Sequence, residues 1–158
     1  MSQEIANIFK AYDIRGLVDV EITPDFTFAT GVAFARFLQQ QREPGTVVIG
    51  EDMRPSSIPL ADAFSAGVTS LGMDVIRIGL ASTDMLYFAS GKLGLPGAMF
   101  TASHNPAEYN GIKLCLSSAR PIGKESGLLT IENFVRKGSA LELRSVGVET
   151  ARDMLEEY

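Results

Sequence analysis

The residues able to do chemistry in this chain gather in one short stretch. Thr101-Ala102-Ser103-His104-Asn105-Pro106 is followed three residues later by Asn110-Gly111-Ile112-Lys113. A hydroxyl, an imidazole, an amide and an ammonium therefore share one connection. Pro106 disfavours helix at Asn105, and Asn110-Gly111 signals a turn into Ile112-Lys113-Leu114-Cys115-Leu116. The stretch reads as a loop between two strands, and its residue types suit phosphate chemistry. Ser103 fits the alternative role of hydrolase nucleophile poorly. It lacks the Gly-x-Ser-x-Gly elbow, and His104, the sole histidine, adjoins it in sequence, where the usual nucleophile–base geometry is hard to reach.

A second stretch, Phe9-Lys10-Ala11-Tyr12-Asp13-Ile14-Arg15-Gly16, lacks helical periodicity. Read as extended chain, it puts Tyr12 and Ile14 on one face and Asp13 and Arg15 on the other. Arg15 is then either a solvated residue of an edge strand or, through its planar fork, a ligand for phosphate oxygens. Tyr12 is either core or the wall of a site. Lys113 shares its strand face with Cys115, opposite Ile112, Leu114 and Leu116, and a lone lysine there is commonly just solvated.

These stretches resemble signatures of the α-D-phosphohexomutase superfamily, enzymes that move a phosphoryl group between the C1 and C6 oxygens of a hexose. Thr101–Lys113 is similar to the phosphoserine signature, and Phe9–Gly16 to the N-terminal motif of the phosphomannomutase/phosphoglucomutase branch. Asp52, Arg54 and Ser56 resemble a further motif after the first strand. The resemblance covers essentially the whole chain and is strongest at 9–16 and 101–113.

It implies that Ser103 carries the phosphoryl group, that His104 lies near it, and that Lys113 serves proton transfer or electrostatics there. Arg15 becomes a phosphate or active-site ligand, and Tyr12, Arg15 and Lys113 face the substrate. Asp52 and Arg54 are expected to brace the serine loop, although a surface ion pair and a capping serine would account for the same residues. Asn105, Asn110 and Gly111 are expected to shape that loop.

The implied cofactors are Mg2+, reached through the phosphate on Ser103, and a hexose 1,6-bisphosphate as activator and intermediate. The implied partners are mannose and glucose phosphates and the remaining domains of a longer enzyme. Two departures stand out. No Asp-Gly-Asp-type cluster is present to complete a metal site, and Thr83-Asp84 stands where the family has a Thr-Pro pair. The chain alone is therefore expected not to turn over hexose phosphates. Two other readings stay open: a non-catalytic phosphosugar-binding module, and a phosphoglucosamine mutase domain.

Composition narrows the classes. At 158 residues, 46% apolar and 21% charged, the chain has the make-up of one soluble globular domain. A net charge of −5 without a Lys/Arg cluster argues against nucleic acid, so cations that meet phosphate must be concentrated locally. The single cysteine, Cys115, excludes an intramolecular disulfide and fits a reducing compartment. The first residues carry no secretory pattern and no apolar run reaches membrane-spanning length, so a cytoplasmic protein is expected.

The elements that must hold these residues follow from periodicity. Thr23-Pro24-Asp25 opens a helix with a hydroxyl cap, an N1 proline and an acid in the first turn, and Phe28, Val32, Ala35 and Leu38 continue it to about Gln41. Strands are expected at 46–50, 73–79 and 97–102, separated by helices from Ser56 or Ser57 to about Leu71 and from Thr83 to about Leu93. Helix-separated strands run parallel. The gap before 111–116 is too short for a crossover, so that strand should be antiparallel. The expected fold is a three-layer α/β/α domain with a four-stranded mixed sheet, like the first domain of phosphoglucomutase. A helix over 124–137 closes it. Residues 1–147 form this domain, and 148–158 is expected to begin a linker helix toward a further domain, with Ala151, Met154, Leu155 and Tyr158 on one face.

Overall fold

A computed structural model describes residues 2–138 and 145–158. In chain order the elements are α1 (Ser2–Ile8), β1 (Ile14–Leu17), α2 (Pro24–Gln40), β2 (Thr46–Glu51), α3 (Ser57–Thr69), β3 (Asp74–Leu80) and α4 (Thr83–Leu93). There follow β4 (Gly97–Phe100), β5 (Tyr109–Leu116), β6 (Arg120–Pro121), α5 (Leu129–Lys137) and β7 (Glu149–Ala151). The strands form one sheet in the order β1-β5-β4-β2-β3-β7, with β6 paired to β5.

The three expected strands, β2, β3 and β4, are parallel, and β5 runs antiparallel to β4. The sheet lies between two layers. Val47 and Ile49 point into the larger core with α2, α3 and α5, whereas Val48 points into the smaller core beneath α4, as strand alternation requires. β3 lies on one side of β2 and β4 on the other. The preference for right-handed crossovers therefore needs α3 and α4 on opposite faces, as observed. Phe64 anchors the larger core, edge-on to Phe100 at 5.3 Å and beside Phe34 at 6.0 Å.

Local signals set the helix ends. Thr23 Oγ1 accepts from Phe26 N (3.1 Å), and Ser82 Oγ accepts from Met85 N (3.1 Å), capping α2 and α4. Ser56 stands at the start of α3 without a capping bond of its own.

Three features depart from the sequence expectation. The sheet is wider, because residues 14–17 pair with β5 while β6 and β7 add further strands. Residues 124–137 do not form one helix. A wide turn over Lys124–Leu128, with Gly127 at φ +159°, precedes α5, and a side chain at Gly127 would run into Phe37. The expected helix from 148 is instead a short strand, β7, parallel to β3. The helical pattern there is real but has little to pack on: Met154 is buried, whereas Leu155 and Tyr158 are exposed. The open edge of β3, with its unpaired backbone groups, determines the outcome.

Candidate functional site

β2 and β4 are parallel neighbours, with Glu51 opposite Phe100. The loops leaving their carboxyl ends must therefore touch, and Asp52 N donates to Phe100 O at 3.0 Å. That end of an open α/β sheet is where ligands bind. The sequence places the Asp52–Ser56 loop and the Thr101–Glu108 loop there together.

Arg54 joins them. Its side chain is only 8% exposed. Nη1 donates to Pro106 O (2.7 Å) and Tyr109 O (3.0 Å), and Nη2 to Ser103 O (2.9 Å) and Asn105 O (2.8 Å). Its Nε donates to Asp52 Oδ2 at 3.2 Å. Asp52 Oδ1 in turn accepts from Arg54 N (3.1 Å) and Ser57 Oγ (2.6 Å). One guanidinium thus grips three carbonyls of the serine loop and a fourth, Tyr109 O, at the start of β5, while a carboxylate fixed to the start of α3 holds that guanidinium. The pair is buried and braces the loop, so the surface-ion-pair alternative does not describe it.

Within the loop, Ser103 is exposed and adopts φ +53°, a left-handed conformation that costs a serine strain. Thr101 Oγ1 accepts from Ser103 N (3.0 Å), and Asn105 Nδ2 donates to Ala102 O (2.7 Å). These bonds and the Arg54 grip hold the strained, exposed residue in place. His104 is exposed beside it.

Asn110 is fully buried. Its Nδ2 donates to Ser56 Oγ (2.8 Å) and Ser57 Oγ (3.0 Å), and its Oδ1 accepts from Gly111 N (2.8 Å). Gly111 lies where three backbones meet. A Cβ there would sit 2.2 Å from Ile14 O, so no larger residue fits. Asn105, Asn110 and Gly111 are thus explained by loop and strand geometry.

The register of β1 on β5 pairs Ile14 with Ile112 and Arg15 with Gly111. Asp13 thereby falls beside Lys113, and its carboxylate lies 3.8 Å from Arg15 Nη2 and 3.7 Å from Lys113 Nζ. One mostly buried carboxylate anchors both cations and leaves the trio with one net positive charge. The alternation of residues 13 and 15 is legible in the sequence, but the anchoring by Asp13 needs the β1–β5 register.

Arg15 also lines a cleft of about 350 Å3 with Lys10, Asn105 and Tyr109, so the N-terminal motif and the serine loop meet. Tyr12 does not join them. It is 77% exposed, hence not core, and its ring lies over Gly123. A larger apolar groove of about 570 Å3 between α1, α2 and β1 holds none of these residues. Cys115 is buried, near Ser90 Oγ at 3.5 Å, and burial pushes its thiol up, as befits an inert core residue.

Magnesium asks for several oxygen ligands. Among the described residues no group of three or more His, Cys, Asp or Glu side chains could hold a metal ion. The donors present do not make a magnesium site by themselves.

Fold and loop together define a three-layer α/β/α domain that presents a braced, strained serine at the carboxyl end of its sheet. Residues 6–142 match phosphoglucomutase/phosphomannomutase, alpha/beta/alpha domain I, and the chain belongs to this family of phosphohexomutases. It is 43% identical over 145 residues to the phosphohexose mutases of Xanthomonas campestris pv. campestris strain B100, covering 91% of this chain and 32% of that protein. It is 42% identical over 130 residues to a phosphomannomutase of Klebsiella pneumoniae, covering 82% of this chain and 80% of that sequence. A phosphoglucomutase/phosphomannomutase family protein from Burkholderia thailandensis superposes with a TM-score of 0.85 at 28% identity, over 96% of this chain and 34% of that one. A crystal structure described as a putative phosphomannomutase from Thermus thermophilus gives 0.82 at 31% identity, over 95% of this chain and 34% of that one. The chain spans about a third of the length of the Xanthomonas relative.

Proposed function

We propose that this chain is the phosphoserine-bearing first domain of a phosphomannomutase/phosphoglucomutase. In this reading Ser103 Oγ carries a phosphoryl group and gives it to a hexose monophosphate. The Oγ–P bond breaks, a sugar O–P bond forms, and the sugar hydroxyl's proton leaves as Ser103 regains one. The bisphosphorylated sugar reorients and returns its other phosphoryl group to Ser103. Catalysis of such a transfer is positioning and charge stabilisation. The observation that carries the reading is the exposed Ser103, fixed at φ +53° by Arg54's hold on the loop.

Lys113 and Arg15, both anchored by Asp13, supply positive charge on the adjoining strands, and His104 adds a proton-handling group next to the nucleophile. Mannose and glucose phosphates are the substrates, and Tyr12 is a wall of the sugar site only where another domain meets it. Mg2+ and a hexose 1,6-bisphosphate belong to this proposal as cofactor and intermediate, with metal ligands other than the Ser103 phosphate drawn from outside this chain. Residues 1–147 act as one domain of a longer enzyme, and the fragment by itself is inactive. No helix among the described residues is long and apolar enough to cross a membrane, and a cytoplasmic location is part of the same reading.

The test is a mutase assay of the longer enzyme on mannose, glucose and glucosamine phosphates. Turnover of mannose or glucose phosphate, abolished by Ser103→Ala, is expected. Preference for glucosamine phosphate would move the chain to the phosphoglucosamine mutases. Phosphosugar binding without turnover, unchanged in Ser103→Ala, would make it a binding module.

A further inference from the structure

Residues 145–158 run along the open edge of β3, and one side chain ties them to the rest of the sheet. β7 contributes three exposed residues in parallel register with Val75, Ile76 and Arg77, and among the described residues no strand pairs its outer edge. So short an edge pairing is weak by itself. Gly147 N donates to Thr69 O (2.9 Å), Val148 N to Asp74 Oδ1 (2.9 Å) and Arg152 N to Arg77 O (2.9 Å), and Met154 is buried in the core beneath α4. Arg77 adds the ionic tie. Its side chain is only 13% exposed; Nη1 donates to Glu149 Oε1 of the strap (3.1 Å) and Asp62 Oδ1 of α3 (2.9 Å), and Nη2 lies 3.7 Å from Glu51 Oε1 at the end of β2. Ser65 Oγ donates to the same Glu149 oxygen at 2.6 Å. One guanidinium thus joins β2, β3, α3 and the strap.

For stability alone the cluster is poorly composed. Three carboxylates face one cation, and among the described residues Arg77 Nε and Glu51 Oε2 are buried without a partner. A buried ion cluster of this kind contributes little net free energy; what it can supply is a fixed geometry. Here the geometry runs from the strap toward the serine loop. Glu51 is followed by Asp52, whose carboxylate holds Arg54, whose guanidinium holds Ser103 O.

We propose that Arg77 is a positioning residue for phosphoryl transfer. It latches residues 145–158 to the end of β2, so that the part of a longer enzyme that follows them meets Ser103 in one fixed orientation. The latch rests on the ion cluster; its consequence for transfer rests on the mutase reading.

Amide exchange of the 15N-labelled chain tests the latch. Arg77→Lys keeps the charge but loses the fork, and should speed exchange at the Arg152 amide about tenfold. Glu149→Gln, at a more exposed side chain, should speed it about threefold, and the double variant should be about as fast as Arg77→Lys alone. Unchanged amide shifts of Ala98 and Met99 in β4 would show the fold intact. In the longer enzyme, Arg77→Lys should lower kcat, counted per phosphorylated Ser103, about fivefold, with KM within about twofold of the parent. Ile131→Val, in the α5 core away from the strap, weakens the fold and should leave that kcat unchanged. Strap exchange indifferent to Arg77→Lys would overturn the latch, and faster exchange with the parent's kcat would overturn the positioning role. A parent enzyme inactive on every hexose phosphate sinks the transfer reading and the positioning role with it, whereas the exchange result decides the latch in either case.

Discussion

Replacing Arg54 by lysine tests whether the serine loop is held in the way its geometry indicates. The guanidinium makes five side-chain hydrogen bonds, three to loop carbonyls, one to Tyr109 O at the start of β5 and one to Asp52. An ammonium is a point charge with no planar fork. It can keep Asp52 and reach one pair of carbonyls, but not Ser103 and Asn105 on one side and Pro106 and Tyr109 on the other. Hydrogen bonds to charged groups contribute about 1.5–3 kcal/mol each. The freed carbonyls lie near the surface and regain water, so a net loss of about 2–3 kcal/mol is expected, near the low end for two lost bonds. At a urea slope of about 2 kcal/mol/M that lowers the unfolding midpoint by about 1–1.5 M. Amide exchange at Ser103 and Asn105 should accelerate at the same time. Arg54→Met, which also leaves Asp52 unpaired, should cost about 3–5 kcal/mol. An Arg54→Lys midpoint within about 0.3 M of the parent, with unchanged loop exchange, would refute this account of the loop.

Other substitutions probe the frame. Gly111→Ala forces a methyl onto Ile14 O and should cost about 2–3 kcal/mol by urea unfolding, with exchange protection lost first between β1 and β5. Arg77 of β3 lies 3.7 Å from Glu51 Oε1 on β2 and 3.1 Å from Glu149 Oε1 on β7, which also accepts from Ser65 Oγ at 2.6 Å, and the two carboxylates should show opposite pH dependences. Burial raises the Glu51 carboxyl, so its stability penalty grows as the pH rises through and above the ordinary carboxylate range, and Glu51→Gln should gain on the parent between about pH 4 and 7. The Ser65 hydroxyl and then Arg77 lower Glu149, whose contribution is present above that range and lost as the pH falls through the folded value. Glu149→Gln should therefore be slightly destabilised at pH 7, by under about 1 kcal/mol for so exposed a side chain, and the difference should fade as the pH falls below the ordinary carboxylate range. Parallel pH profiles would contradict both assignments. Cys115 should resist alkylation in the native state and react on unfolding.

Much of this was legible in the residues because local rules and global topology agree. Thr23-Pro24-Asp25 caps a helix wherever that helix packs, and the two crossovers fix three parallel strands. The short connection across Ser103 could only return antiparallel. The Arg54 brace follows once β2 and β4 are neighbours, since their carboxyl-end loops then adjoin. What stayed hidden depends on pairing between segments distant in sequence. Asp13 gains its role only when β1 lies on β5 in the register that sets it against Lys113. Lys10 reaches the cleft only because β1 brings the turn before it to the serine loop. At residues 149–151 the helical pattern competes with the open edge of β3, and periodicity alone does not reveal that the edge wins.

The central claim is that Ser103 carries the phosphoryl group. The most direct measurement is the intact mass of the protein isolated from its own cells, with a phosphopeptide map across Thr101–Lys113. The account expects a chain longer than this one, carrying one phosphoryl group on Ser103 and none in Ser103→Ala. An unmodified Ser103, still unmodified after exposure to a hexose 1,6-bisphosphate, would contradict it.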